Sequence, residues 1–128
     1  MLTAAAATAL VTALAAACAD DTSGSGSAGL SPAASEGSDI YRSRGCQGCH
    51  GGDGTGGIGP TLAGIAGTPR ELDDGTTVTA DTDYLRRSIT DPDREIVAGY
   101  SVRMPSNDLD GQAVDALVAY IESLEATP

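Results

Sequence analysis

The chain has 128 residues, a formal net charge of −11 and three cysteines. That length suits one small domain and leaves no room for a multidomain enzyme. With 20% charged and 41% apolar residues it is neither disordered throughout nor a polytopic membrane protein. All seven cations are arginines, too few and too scattered for the basic stripe that binding nucleic acid requires.

Residues 2–17 form an uncharged Ala/Leu/Val/Thr run. A spanning helix needs about 20 predominantly apolar residues, so the run reads instead as the apolar part of an export signal covering residues 1–17. Ala15, Ala16 and Ala17 supply the small-residue cleavage site. Leu14-Ala15-Ala16-Ala17-Cys18 resembles a bacterial lipobox, which makes Cys18 the acylated N-terminus of the mature chain. An ordinary signal peptide ahead of an incidental cysteine is the alternative. Residues 18–37 then read as the lipidated cysteine and a Ser/Gly/Ala-rich linker, with a root-mean-square reach of roughly 24 Å. The folded domain is expected over residues 38–126.

A first helix, capped by Ser38 or Asp39, is expected to lead into Cys46-Gln47-Gly48-Cys49-His50. The glycine-rich run at residues 51–57 cannot be helix or strand interior. Asp74-Gly75 between short polar–apolar runs predicts a hairpin over residues 71–78. Asp81-Thr82-Asp83 should cap a short helix carrying Tyr84, Leu85 and Ile89 and ending before Pro92. Asp110 should start a last helix, with Val114, Leu117, Val118, Ile121 and Leu124 on one face.

C-x-x-C-H is the attachment pattern of a c-type haem. Two thiols on one helical turn can add to the two vinyl groups of a porphyrin edge, and the next residue, His50, then lies under the iron. A structural zinc site needs four ligands, but His50 is the only histidine and Cys18 the only other cysteine. A thioredoxin-like pair needs a βαβ context, and glycines follow instead. A Cys46–Cys49 disulfide suits an exported protein but leaves another anomaly unexplained. The chain has four Tyr and no Phe or Trp, although aromatics dominate small cores; a haem would fill the deficit. The glycine run would then let backbone pass close to the porphyrin edge, or be a plain flexible loop.

The second axial ligand follows by elimination. No second histidine and no lysine exist, and downstream of Cys18 the only methionine is Met104. It stands in Arg103-Met104-Pro105, between two helical patterns and far enough past His50 to reach the opposite haem face. A thioether opposite histidine raises the reduction potential, and two filled positions disfavour oxygen and peroxide chemistry. Arg42, Arg44, Arg86, Arg87 and Arg103 are the candidate counter-charges for the propionates. Asp39, Asp81, Asp83, Asp108 and Asp110 lie near expected helix starts, where negative charge is favourable.

On Cys46-Gln47-Gly48-Cys49-His50-Gly51, Gly59-Pro60-Thr61-Leu62, Gly99-Tyr100, Met104-Pro105 and Leu117-Val118-Ala119-Tyr120-Ile121, the chain resembles a class I c-type cytochrome. Residues 70–78 and 83–89 are further similar to the cytochrome domain fused to subunit II of bacterial haem–copper oxidases. The length leaves no room for that subunit's copper domain or membrane helices, so the similarity is to its haem module. The resemblance implies an all-α class I fold of three to five short helices around one covalent haem, with a small hairpin insertion. It also implies that the Pro60 carbonyl accepts a hydrogen bond from His50.

The expected function is therefore electron transfer, not enzymatic catalysis, by a monohaem protein with Cys46 and Cys49 attaching haem c and His50 and Met104 on the iron. Its expected place is the periplasm or the outer face of the cytoplasmic membrane, anchored through Cys18. The expected partners are redox proteins of a respiratory chain, with a terminal oxidase as one candidate; no nucleic acid and no small-molecule substrate are expected. The alternative is a module that binds or senses a small gas when Met104 dissociates.

Overall fold

The computed structural model describes residues 29–125. The expected signal, Cys18 and most of the linker lie outside them. The described chain runs α1 (Pro32–Ser43), α2 (Gln47–His50), β1 (Pro69–Glu71), β2 (Thr77–Thr79), α3 (Thr82–Thr90) and α4 (Gly111–Ser123).

α1 starts earlier than expected. Ser31, not Ser38 or Asp39, is the N-cap; its hydroxyl accepts from the Ala34 amide at 3.2 Å, with proline in the first turn. Residues 32–37, expected as linker, are therefore helix. The buried positions Ala34, Gly37, Ser38 and Tyr41 recur at helical spacing, but three of the four are small. Their size serves close approach: a Cβ on Gly37 would stand 1.9 Å from the Ala116 carbonyl oxygen of α4. α1 packs chiefly on α4, which buries Val114, Ala116, Leu117, Val118, Tyr120 and Ile121. Tyr41 and Tyr120 meet across this contact with ring centroids 5.3 Å apart, a separation at which aromatic pairs attract.

The C-terminus of α1 aims the next turn. Gly45 takes a left-handed φ of 77°, its amide bonds to the Arg42 carbonyl, and the Cys46 amide to the Tyr41 carbonyl at 3.0 Å. This is the paired closure of a Schellman motif, and it delivers Cys46 directly into α2.

The later elements match their sequence signals. Asp81 caps α3, accepting from the Tyr84 amide at 2.8 Å, and Asp110 caps α4, accepting from the Ala113 amide at 2.9 Å. Tyr84, Leu85 and Ile89 are the buried face of α3; burying each such side chain contributes roughly 2 kcal/mol. β1 and β2 pair antiparallel with Arg70 opposite Val78, and Asp74 organises their turn by accepting from the Thr76 amide and hydroxyl. Leu124 has left α4 but remains half-buried against the core. No described helix is long and apolar enough to cross a membrane.

Candidate haem site

α2 is a single turn, and it sets Cys46, Cys49 and His50 side by side. The His50 amide donates to the Cys46 carbonyl at 3.0 Å, and the Gly51 amide to that of Gln47 at 2.9 Å. Both cysteines and His50 are half-buried. Burial pushes the Cys46 thiol above its ordinary range, with its own backbone amide and Arg44 acting the other way. Among the described residues no group of three His, Cys, Asp or Glu side chains is placed to hold a metal ion, which removes the zinc alternative there.

His50 is held from the far side. Its Nδ1 lies 2.8 Å from the Pro60 carbonyl oxygen. A carbonyl can only accept, so Nδ1 carries the proton and Nε2 keeps its lone pair for a metal. Gly59 makes this approach possible: a Cβ there would stand 3.2 Å from His50 Cε1 and 3.3 Å from Nδ1. The Gly59 amide in turn bonds to the Cys49 carbonyl at 3.0 Å, tying the Pro60 loop to the cysteine turn.

These residues open onto one cavity of about 550 Å³. Cys46 lines it from the N-cap of α2, Cys49 and His50 from α2 itself, Leu85 and Ile89 from α3, Leu117 and Ile121 from α4, and Tyr100 and Met104 from the loop between α3 and α4. Met104 is half-buried, and Asn107 fixes the chain just after it by donating to the Ile89 carbonyl at 2.7 Å. The cavity is apolar, is large enough for a porphyrin, and joins the paired thiols and the oriented imidazole in one wall. Ser88 lines it too, and its buried hydroxyl has no hydrogen-bond partner among the described residues. These features fit a covalently attached haem.

Residues 34–125 match the family model for Cytochrome c. The chain belongs to the cytochrome c family. Its cofactor is thus covalently bound haem c with its iron, its fold is the mostly helical cytochrome c fold with a small two-stranded sheet, and its activity is that of a haem-based electron carrier. A search of curated proteins finds no match.

Two open expectations are narrowed. Residues 51–57 are not among the residues lining the cavity, and local backbone packing accounts for their glycines. Gly51, Gly54 and Gly56 take left-handed φ values of 82°, 70° and 91°, and the Gly54 carbonyl gathers the Leu62 and Ala63 amides at 2.7 and 2.9 Å. The loop is a folded knot of backbone, and a Cβ on Gly54 would also meet Leu124 at 2.7 Å. Among the arginines, only Arg44 and Arg103 of the five candidates reach the cavity. Arg42 faces Asp39, Arg86 is held by Asp115 and Asp83, and Arg87 by Glu95. Arg44 itself pairs with Asp108, and Arg103 lies 3.8 Å from Asp73. Arg70 was not among the candidates. It lines the cavity from β1 and has no carboxylate within ion-pair distance among the described residues. The alternation of a three-residue strand, with Arg70 half-buried between exposed neighbours, is a signal too short to read from sequence.

Proposed function

We propose that this cytochrome is an exported, single-haem electron carrier of a respiratory chain, tethered to a membrane through an acylated Cys18. In this reading Cys46 and Cys49 would carry the thioether links, and His50 and Met104 would ligate the iron. The observation that carries it is the cavity that has Met104 in the same lining as the imidazole fixed by Pro60. The bound haem supplies an iron that exchanges one electron between its ferric and ferrous forms. The chain does the rest. The Nδ1–H bond to Pro60 fixes the imidazole and raises its basicity, the Met104 thioether favours the reduced state, and the mostly apolar walls lower the polarity around the site. Neither ligand has to move, so little reorganisation opposes transfer. Arg70 is the group placed to offset a propionate.

The respiratory role extends the resemblance read in the sequence of residues 70–78 and 83–89 to the haem module of oxidase subunit II, a reading narrower than the family match. The charge of −11 suits a basic docking partner, reached faster at low salt. Met104→Ala tests the ligand set. The variant should lose the sulfur–iron charge-transfer band of the ferric protein, fall in reduction potential and gain carbon monoxide binding. An unchanged band and potential would mean that Met104 is not on the iron.

A further inference from the structure

The 91–110 stretch between α3 and α4 that carries Met104 contains no helix or named strand. Loops of this kind are ordinarily the most mobile part of a domain, yet an axial ligand must be held in place. The structure shows how this one is held. Leu72 and Val97 form an antiparallel bridge outside the named strands. Its two rungs are the Asp73 amide donating to the Ile96 carbonyl at 2.8 Å and the Ala98 amide donating to the Glu71 carbonyl at 2.9 Å. Leu72 is buried at the centre of the bridge, 5% exposed. Arg103, next to the methionine, reaches the Asp73 carboxylate at 3.8 Å. On the other side Asn107 is bonded to α3.

We propose that the β1–β2 hairpin is a latch for Met104: its bridge to residues 96–98 restrains the loop and so sets how firmly the thioether stays on ferric iron. This rests on the reading of Met104 as axial ligand. A ligand that spends only part of its time in the competent position binds more weakly by that fraction. The hairpin holds the competent position through two backbone hydrogen bonds and one buried leucine. The Arg103–Asp73 pair, exposed on both sides, adds little by itself. The hairpin thus has a task beyond bringing Arg70 to the cavity: it positions a ligand it does not itself provide.

The test is imidazole binding to the ferric holoprotein, which must displace Met104, read together with the sulfur–iron charge-transfer band. Ala98→Pro removes one rung, and imidazole affinity should rise about tenfold, the equivalent of one lost hydrogen bond. Asp73→Ala leaves the backbone rungs and should give a smaller rise in the same direction, in a variant that folds. Gly37→Ala, which strains the distant α1–α4 contact, should lower thermal stability without changing imidazole affinity. Wild-type affinity in both latch variants, with the band present, overturns the latch. So does a rise in Gly37→Ala as large as in Ala98→Pro, because affinity would then track global stability. Absence of the band in the wild-type protein overturns the ligand reading, and the latch with it.

Discussion

Gly59 leaves the His50 ring no slack. With a Cβ at that position the imidazole and the Cys49 carbonyl would both be crowded, at 3.2 to 3.3 Å. Gly59→Ala should therefore push the ring off the Pro60 carbonyl, at a cost of roughly 1–2 kcal/mol of stability. Losing that bond makes the imidazole a weaker donor, so the potential should rise; voltammetry of the variant checks the sign. Tyr41 is the second residue whose surroundings make a prediction. Burial, and then the neighbouring Tyr120, push its pKa up to about 12 from 10.0, and its hydroxyl donates to the Gly51 carbonyl at 2.6 Å. A folded-state value above the unfolded one means that the fold favours the neutral phenol. The associated stability is complete below pH 10 and is lost as pH rises toward about 12. Denaturant unfolding across that window should show the loss, and Tyr41→Phe should lack it; an identical pH profile in the variant would contradict the assignment.

At the scale of elements, the contact between α1 and α4 depends on Gly37. Its Cβ would fall 1.9 Å from a backbone oxygen and 2.8 Å from the Tyr120 Cβ, so no rotamer change relieves it. Gly37→Ala should cost about 3 kcal/mol, read as a lowered thermal midpoint of the holoprotein. The same glycine shows why α1 was only half legible. Ala34, Gly37 and Ser38 look like linker composition, and a helix whose buried stripe is small carries little hydrophobic periodicity. α3 and α4 were legible because Asp81 and Asp110 are caps with side-chain acceptors and because Leu and Ile mark the buried faces. The Asp74-Gly75 turn was legible for its own local chemistry. Nothing local marked the bridge between Leu72 and Val97, which is a pairing across distant sequence. The site divides likewise: Cys46, Cys49 and His50 form a contiguous motif and Met104 followed by elimination, whereas Arg70 and Gly59 matter through where the fold takes them.

At the scale of the molecule, the core is arranged around the cavity. Leu85, Ile89, Leu117 and Ile121 belong to the buried cluster and also line the space for the haem. A haem in that space supplies packing contacts that these four side chains lack without it, and a whole domain's usual stability of about 5–15 kcal/mol leaves little margin for their loss. Cys46→Ala combined with Cys49→Ala should thus give a haem-free chain without cooperative unfolding, and a sharp calorimetric transition in that variant would contradict a cofactor-dependent core. The most direct test of axial ligation from both sides is the visible spectrum of the reduced holoprotein with and without carbon monoxide. A low-spin, six-coordinate spectrum that carbon monoxide leaves unchanged is expected of an electron carrier with His50 and Met104 on the iron. A five-coordinate spectrum, or one that shifts readily under carbon monoxide, would contradict it.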